Sequence, residues 1–274
     1  MDESTQAVCS FKNSIGYETG RIGIKIKRAA LMPVSAPENI LEVFSSIPYE
    51  NISKIFRMGL ANEQRPRNVE LLLKNFNENK WGGTCFSLTW AAVSLLRQED
   101  IQAHIVRAPM PRQTFPHFAL VYIWQGKSYF FDPGYMIFQG IPMSKDVDVF
   151  YTNDVMDYVC RWHPDKNLFS IHSIQDNNEK LRYYIEPGPV EEKEFSEKWL
   201  ASFQYINKPV LSRLHDNKFI YIAGDYAQIR SRNHSERYEG QKQADKLILN
   251  YFDFTLEEIA LAREILNSSQ NDIT

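Results

Sequence analysis

Cys85, His117 and Asp132 are the residues whose types and order could carry out nucleophilic chemistry. Cys85 follows the pair Gly82-Gly83 and begins an apolar series at helical spacing. Thr84 would cap that helix, which places Cys85 in the first turn, where unpaired N–H groups and the helix dipole favour a thiolate. The segment alone is equally compatible with a small buried core cysteine.

His117 and Asp132 each have an ordinary structural interpretation as well. A lone histidine in an apolar strand is more often structural than catalytic, and Asp132 before Pro133-Gly134 is common turn chemistry. Together with Cys85 they fit one mechanism. The thiol attacks an acyl carbon, His117 accepts the thiol proton and later deprotonates the incoming nucleophile, and Asp132 fixes the imidazole tautomer.

A predicted hairpin joins His117 and Asp132. Gln125-Gly126-Lys127 separates two strand-like runs, so that His117 opens one strand and Asp132 closes the next. An ideal two-residue turn at Gly126-Lys127 would pair Asp132 with Val121, four residues from His117 on the same face. Strong twist or a β-bulge is then needed to bring the two side chains together.

The rest of the chain supplies the elements that must position these residues. Helical spacing runs from Pro37 to about Leu96, and Pro187-Gly188-Pro189 followed by acidic residues marks a boundary. The predicted strands are Ala103 to Val106, Phe118 to Trp124, Tyr129 to Phe131, Phe169 to Ile174 and Leu181 to Ile185. After the boundary we predict a helix at Phe195 to Phe203, a strand pair at Lys218 to Ala223 and Tyr226 to Ser231, and a closing helix at Leu256 to Leu266.

Composition excludes several classes of protein. The 274 residues are 43% hydrophobic and 24% charged, which is typical of a globular chain. A net charge of -3 gives no general attraction to nucleic acid or to an anionic membrane. Cys9, Cys85 and Cys160 form no CxxC pair, and the histidines show no metal-ligand spacing, so neither a disulfide framework nor a metal site is predicted. Without a leader or an apolar span, the chain is predicted to be cytoplasmic.

Five segments resemble the arylamine N-acetyltransferase family and occur in the family's order. Ile47-Pro-Tyr-Glu-Asn51 resembles the family's Pro-Phe-Glu-Asn segment, and Gly82-Gly-Thr-Cys-Phe86 is similar to its catalytic-cysteine motif. Pro116-His-Phe118 and Phe131-Asp-Pro-Gly134 resemble its His and Asp motifs, and Leu247 to Phe254 is similar to its closing segment. The resemblance covers nearly the whole chain.

The resemblance implies an α+β fold: an N-terminal helical bundle over 1–100, an antiparallel β-barrel middle domain over 101–190, and a C-terminal α/β lid over 191–274. It also implies ping-pong chemistry without a metal, in which acetyl-CoA or another acyl-CoA acylates the cysteine and a small-molecule arylamine or similar amine accepts the acyl group. The triad would lie at the junction of the first two domains.

Some positions depart from the family's pattern. Trp81 stands where the family has an arginine, and Ser87 stands where it has a glutamate, so both partners of one ion pair are replaced together. The loop after Asp132 also differs, and there Tyr135 and Phe138 are predicted to line a different acceptor pocket, with Trp81 as a further substrate-binding candidate.

Two basic clusters, Arg21 to Arg28 and Arg230 to Arg237, are interpreted first as solvated faces. Either could instead hold a phosphate of the CoA donor, and Arg230 and Arg232 are favoured because they fall in the predicted lid.

Two alternatives to an acyl-CoA-dependent N-acyltransferase stay open. The first is a transglutaminase-like cysteine hydrolase, amidase or amide synthase that uses no CoA. The second is a non-catalytic binding protein on the same scaffold, which a Cys85 of ordinary thiol reactivity would favour.

Overall fold

The computed structural model describes residues 36–58, 66–111, 115–175 and 178–271. Cys9 and the basic cluster Arg21 to Arg28 lie outside the described residues. None of the helices in the described part is long and apolar enough to cross a membrane.

Helices occupy the two ends of the described chain. They are α1 (Pro37–Leu41), α2 (Ile52–Ile55), α3 (Val69–Asn79), α4 (Cys85–Gln98), α5 (Glu192–Ala201), α6 (Gln241–Tyr251) and α7 (Leu256–Asn271). Asn68 caps α3 by accepting a hydrogen bond from the Leu71 N–H at 2.9 Å, and Lys80 ends that helix in the left-handed conformation. Short 3-10 turns at Glu42–Ser45, Pro133–Tyr135, Pro164–Lys166 and Ser202–Tyr205 link several elements.

Thirteen described strands form three antiparallel sheets. The strands are β1 (Tyr49–Glu50), β2 (Ala103–Ala108), β3 (His117–Trp124), β4 (Lys127–Asp132), β5 (Ile137–Pro142), β6 (Val149–Thr152), β7 (Asp157–His163), β8 (Leu168–Gln175), β9 (Asn178–Ile185), β10 (Val210–His215), β11 (Lys218–Ala223), β12 (Tyr226–Arg230) and β13 (Ser235–Glu239). Their orders are β2-β3-β4-β5, β6-β7-β8-β9 and β1-β10-β11-β12-β13.

The predicted α+β class is confirmed, but the predicted barrel is corrected. The described middle strands form two open four-stranded sheets, because β5 does not pair with β6. The other two edge strands approach at an isolated bridge between Arg107 and Glu186. The predicted domain boundaries at 100 and 190 stay a prediction, although β1, from the first segment, pairs with β10 of the third through Tyr49–Ser212 and Glu50–Leu211.

Strand β3 is buried on both faces, which explains its nearly continuous apolar sequence. Phe118, Leu120 and Tyr122 face a core shared with the helices, whereas Ala119 and Val121 face the second sheet. The strand therefore holds its N-terminal residue at the boundary of two packed layers.

Aromatic contacts join α4 and α5 to the first sheet. The Phe86 ring centroid lies 5.1 Å from those of Phe118 and Phe195 and 5.6 Å from that of Trp199, and all four side chains are buried. Edge and tilted ring contacts add stability beyond the area they bury, so α4 is fixed against β3 near its N-terminal turn.

The hairpin register differs from the prediction by two residues. Gln125 and Gly126 form the turn, both at positive φ, and Trp124 pairs with Lys127. Leu120 then pairs with Phe131, and the same register would place Asp132 opposite Ala119. Ala119 is two residues from His117, whereas the predicted partner, Val121, is four residues away. The β3–β4 pairing itself shows no bulge; the register shift lies between Phe130 and Asp132 in the β4–β5 pairing, immediately before Asp132.

Candidate active site

Cys85 is the first residue of α4, as predicted, and its side chain is buried with 8% of its surface exposed. Thr84 occupies the N-cap position with an extended backbone, but its side chain makes no capping hydrogen bond, which differs from the prediction. The four N-terminal N–H groups of a helix have no intrahelical acceptor, so the Cys85 N–H is available to an oxyanion.

The turn before Cys85 packs tightly against the Pro48–Glu50 segment. A Cβ on Gly82 would lie 1.8 Å from the Pro48 carbonyl oxygen, so only glycine fits there. The Gly83 N–H donates to the Pro48 carbonyl at 3.2 Å, and the Glu50 N–H donates to the Gly83 carbonyl at 3.0 Å. These backbone contacts hold the Gly pair against the Pro48–Glu50 segment.

A buried ion pair supports the same turn, and no local sequence pattern predicts it. The Arg67 guanidinium lies 4.0 Å from the Glu50 carboxylate, with 3% and 0% of the two side chains exposed. Arg67 also donates to Ser53 Oγ at 3.0 Å and to the Gly82 carbonyl. Its Nη2 would contact a Cβ on Gly83, as would Ser87, so a guanidinium from outside the motif fills the space beside Ser87.

His117 and Asp132 come together as predicted. His117 Nε2 lies 2.7 Å from Asp132 Oδ2, and Asp132 is fully buried. A carboxylate can only accept, so Nε2 carries a proton and Nδ1 is left for the thiol of Cys85. Asp132 also accepts the Tyr135 backbone N–H at 3.0 Å.

The imidazole is held in its charged form. Burial lowers the pKa of His117, but the Asp132 carboxylate, through its charge and its hydrogen bond, and then the hydrogen bond and charge of Cys85 raise it to about 10. At neutral pH an imidazolium therefore faces the cysteine, which is the protonation state that an attacking thiolate requires.

Tyr183 is a site residue that sequence reasoning missed. Its hydroxyl donates to Asp132 Oδ2 at 2.8 Å, and its ring centroid lies 5.5 Å from that of His117. Burial and the Asp132 charge raise the pKa of Tyr183 well above its usual value, so it stays a donor. No local motif marks it, because Tyr183 is one of two adjacent tyrosines in β9.

Gly134 is the point where the Cys85 and His117 side chains converge. A Cβ built there would lie 2.9 Å from Cys85 Cβ and 3.1 Å from His117 Cε1. The close approach of the Asp-Pro-Gly turn to both residues thus requires the absence of a side chain.

Replacing Gly134 by Ala is expected to separate Cys85 from His117 and to slow reaction at Cys85 by about 100-fold, since displacements near 1 Å have costs of this order. The overpacking should lower stability by about 1 to 3 kcal/mol. Iodoacetamide alkylation rates and urea unfolding measure the two effects. Gly188→Ala is the matched control, because nothing lies within 4 Å of a Cβ there; equal alkylation rates in both variants would contradict the crowding.

Lys54 is a buried amine close to Cys85 that the sequence did not predict. Its Nζ lies 4.1 Å from the ring centroid of Trp199 and 4.5 Å from that of Phe203, and it donates to Ser202 Oγ. Burial lowers the pKa of Lys54 to about 7, although the charge of Cys85 opposes the shift.

The variant Lys54→Met is expected to be more stable than the wild type by about 1 to 4 kcal/mol at pH 6, because it removes a buried ammonium that has no carboxylate partner among the described residues. The lowered pKa means that the unfolded chain binds this proton more tightly. The difference in free energy of unfolding between Lys54→Met and the wild type should be largest below pH 7 and should shrink as the pH rises toward 10. Urea unfolding of both proteins at pH 6 and 9 measures it; an unchanged difference would contradict the shifted pKa.

The predicted pocket residues occupy different environments. Tyr135 lies next to the triad, with its ring centroid 6.3 Å from that of His117. Phe138 is partly buried against the helix-side core. Trp81 is 8% exposed and packs against Phe56 and Phe254, with centroids at 5.5 and 6.5 Å. Their roles in substrate binding stay predictions.

The two predicted CoA-binding arginines also differ from each other. Arg232 forms a bidentate ion pair with Asp157, with contacts of 3.1 Å. Arg230 donates to the Gln175 side-chain oxygen at 3.2 Å and lies over Phe219. A role of Arg230 and Arg232 in CoA binding stays a prediction.

Two of the remaining histidines share one hydroxyl. His163 Nε2 and His172 Nε2 lie 2.7 and 2.8 Å from Ser170 Oγ, and His172 Nδ1 lies 2.7 Å from Glu179. No group of three His, Cys, Asp or Glu side chains in the described part of the chain is placed to hold a metal ion.

No family model matches this sequence. No curated protein matches it either. Solved structures do match. The arylamine N-acetyltransferase from Mycobacterium abscessus has a TM-score of 0.68 at 10% identity, covering 86% of this chain and 89% of its own. The Mycobacterium marinum enzyme in complex with CoA gives 0.66 at 13% identity, with coverages of 84% and 91%.

A third match concerns the triad directly. An arylamine N-acetyltransferase from Bacillus cereus, described as having a unique Cys-His-Glu catalytic triad, has a TM-score of 0.64 at 15% identity and covers 93% of this chain and 100% of its own. In the present chain, the residue hydrogen-bonded to His117 is Asp132. The chain therefore has the fold of the arylamine N-acetyltransferases, and the predicted resemblance to that family is confirmed at the level of the fold.

Proposed function

We propose that this protein is an N-acyltransferase that moves an acetyl or other acyl group from an acyl-CoA to an arylamine or similar amine. The observation that supports this most strongly is the buried arrangement of Cys85, His117 and Asp132 at the N-terminus of α4. A thiol, a charged imidazole and a tautomer-fixing carboxylate together supply nucleophile, proton carrier and orienting group.

In the first half-reaction the Cys85 thiolate attacks the thioester carbonyl of the donor. A new C–S bond forms, and the Cys85 N–H stabilises the oxyanion. The C–S bond to CoA then breaks, and the imidazolium of His117 gives its proton to the departing CoA thiolate. The products are free CoA and an acyl thioester on Cys85.

In the second half-reaction His117, now neutral, deprotonates the attacking amine. Its nitrogen forms a C–N bond to the acyl carbon, the C–S bond to Cys85 breaks, and the thiolate–imidazolium pair is restored. Asp132 keeps the proton on Nε2 throughout, so Nδ1 is always the atom that exchanges protons.

The enclosure of the site supports transfer over hydrolysis. Cys85 and His117 expose only 8% and 7% of their surfaces. A site that excludes water protects a thioester until the amine arrives. The hydrolase alternative would need water to reach the same carbonyl.

The test is mass spectrometry of the intact protein after incubation with acetyl-CoA and longer acyl-CoAs. We expect a single labile acyl adduct, which disappears when an arylamine is added. Failure of every donor to acylate the wild-type protein would overturn the proposal.

Two cysteine variants locate the adduct. Cys85→Ala should prevent it. Cys160→Ala should leave it unchanged, because Cys160 is buried and its burial raises the pKa of the thiol to about 12, far from the thiolate form. An adduct that persists in Cys85→Ala would assign the chemistry to another thiol.

A further inference from the structure

Arg182 and Arg230 bring two guanidinium groups to one face of β8, where Arg182 donates to Ser173 and Arg230 donates to Gln175, two residues further along the strand. Arg182 belongs to β9 and Arg230 to β12, in different sheets. Burial lowers the pKa of Arg230, and the charge of Arg182 lowers it further, as expected for neighbouring like charges. Within the described parts of the chain neither forms an ion pair with a carboxylate, whereas Arg107, Arg161, Arg232 and Arg263 all do.

A β-bulge redirects Arg182 toward Tyr135, the residue that lies beside His117. Tyr183 pairs with Ile171 and Leu181 pairs with His172, so Arg182 is the extra residue between them. A bulge lets two consecutive side chains reach the same side of a sheet. Bulges are common next to active sites, where they redirect a side chain.

The contacts of the two consecutive residues confirm this direction. The Arg182 Nε–H donates to the buried hydroxyl of Ser173 at 2.6 Å, and Arg182 hydrogen-bonds the Tyr135 hydroxyl. The Tyr183 ring centroid lies 5.1 Å from that of Tyr135. Arg182 and Tyr183 therefore both contact Tyr135.

Arg230 is fixed by neutral groups. Its guanidinium donates to Gln175 at 3.2 Å and lies 5.3 Å from the ring centroid of Phe219. Its Nε is buried and makes no hydrogen bond within the described structure. These contacts orient the side chain but leave its charge uncompensated, which is costly unless an anion is bound.

The distance to the triad limits what the anion can be. Tyr135 connects the arginines to the triad, since both guanidinium charges act on its hydroxyl, its ring lies 6.3 Å from the imidazole of His117 and its backbone N–H donates to Asp132. The pantetheine arm that separates the thioester of CoA from its phosphates is far longer than one phenol ring. A carboxylate on the reacting molecule itself has the right reach.

We infer that Arg182 and Arg230 form an anion subsite that holds a carboxylate carried by the acyl group or by the acceptor amine. This substrate class rests on the proposed acyl transfer. The planar guanidinium groups suit a carboxylate, which can accept two parallel hydrogen bonds from such a fork. The bound carboxylate would offset the repulsion between the two arginines.

The subsite can be tested without acyl transfer, by alkylating Cys85 with two probes that share one electrophile. 4-(Iodoacetamido)benzoate carries the carboxylate, and 4-(iodoacetamido)benzamide is its neutral counterpart. Relative to glutathione, the wild type is expected to prefer the acid by roughly tenfold, the effect of a charged hydrogen bond. Arg182→Gln and Arg230→Gln should each remove most of the preference.

Two controls make the result specific. Arg161→Gln removes an arginine of β7 that already has Asp148 and Glu179 as its partners, and it should leave the preference unchanged. In the wild type, raising NaCl from about 0.05 M to about 1 M should weaken the preference by screening. This salt test needs no variant, so a misfolded variant cannot hide the answer. Equal preference in the wild type and both glutamine variants would overturn the proposal.

Substrate pairs identify which molecule carries the carboxylate. Faster acylation by succinyl-CoA than by butyryl-CoA places it on the acyl group, and faster deacylation by 4-aminobenzoate than by 4-aminobenzamide places it on the acceptor. Equal rates in both pairs would overturn the inference even if acyl transfer is confirmed. If no acyl-CoA acylates Cys85 while the alkylation preference holds, the proposed function fails and the anion subsite stands.

Discussion

Replacing Asp132 by Asn is expected to slow acylation of Cys85 by about 10⁴-fold, the loss seen when the carboxylate of a catalytic triad becomes an amide. Asp132 Oδ2 now accepts from His117 Nε2 at 2.7 Å. An amide nitrogen in its place would donate, which moves the imidazole proton to Nδ1. The nitrogen that faces Cys85 could then no longer accept the thiol proton.

The same substitution should leave the fold intact. The Asn carbonyl can accept the Tyr135 N–H as before, and its NH₂ group can donate to both His117 and the Tyr183 oxygen, so every partner keeps a hydrogen bond and only those with His117 and Tyr183 reverse polarity. Stopped-flow acylation with acetyl-CoA measures the rate, and urea unfolding measures the stability. Acylation within tenfold of the wild-type rate would show that His117 does not depend on Asp132.

A pH effect separates this mechanism from simple disruption. The Asp132 carboxylate is the largest of the causes that raise the pKa of His117 to about 10. Without it, burial dominates and the pKa falls, so His117 loses its charge at neutral pH. Alkylation of Cys85 by iodoacetamide at pH 6 should therefore slow in Asp132→Asn, and an unchanged rate would contradict the ion pair.

Tyr183→Phe offers a milder comparison. It removes one donor from Asp132 and keeps the ring that packs against His117. Because the carboxylate retains His117 and the Tyr135 N–H as partners, the expected loss of rate is about tenfold, the effect of one hydrogen bond to a charged group. A loss as large as that of Asp132→Asn would mean that Tyr183 has a more direct role.

Sequence reasoning found the three central residues because each has a local cause. A cysteine after a Gly pair at a helix start, a histidine at a strand start and an aspartate at the strand's end are visible within short windows. The register error at the hairpin shows the limit of such windows. The predicted two-residue turn is Gly126-Lys127, whereas the structure forms the turn from Gln125 and Gly126. The residue type of Gln125 only weakly favours the positive φ that this turn requires.

The burial of Lys54 and Arg67 could not be predicted, since the residues that they contact are distant in sequence. Lys54 lies among rings from α4, α5 and the following 3-10 turn. Arg67 reaches back to Glu50 and forward to Gly82. A sequence pattern ranks both as surface residues, because charged side chains are rarely buried. Only the tertiary fold shows that the Arg67 guanidinium lies beside Gly82 and Gly83.

The sequence prediction lacks six strands (β1, β5, β6, β7, β10 and β13) and helix α6, and at the edge strands β6 and β13 the cause is a weak local pattern. β6 (Val149–Thr152) alternates exposed and partly buried residues, and its large side chain Phe150 is exposed. β13 is mostly polar. Such edge segments carry a weak alternation signal, because their pairing depends on the neighbouring strand more than on their own apolar pattern.

Replacing Arg67 by Met is expected to lower the free energy of unfolding by about 3 to 5 kcal/mol at pH 7, because it leaves the Glu50 carboxylate buried without its cation. Burial already raises the pKa of Glu50, and Arg67 is the largest opposing influence. In the variant the pKa rises further. The destabilisation should therefore be smaller at pH 5, where Glu50 takes up a proton, and should grow as the pH rises. Chemical unfolding at both values measures this.

A second substitution decides whether the cost comes from the isolated charge. Glu50→Gln added to Arg67→Met removes the buried carboxylate and should recover most of the lost stability, since an ion pair replaced on both sides leaves no uncompensated charge. Arg67 also donates to the Gly82 carbonyl, next to the Cys85 turn. If Cys85 is alkylated more slowly in the double variant than in the wild type although stability is restored, Arg67 also positions the nucleophile. If the double variant is as unstable as Arg67→Met, lost packing of the guanidinium is the cause, and the buried charge is not.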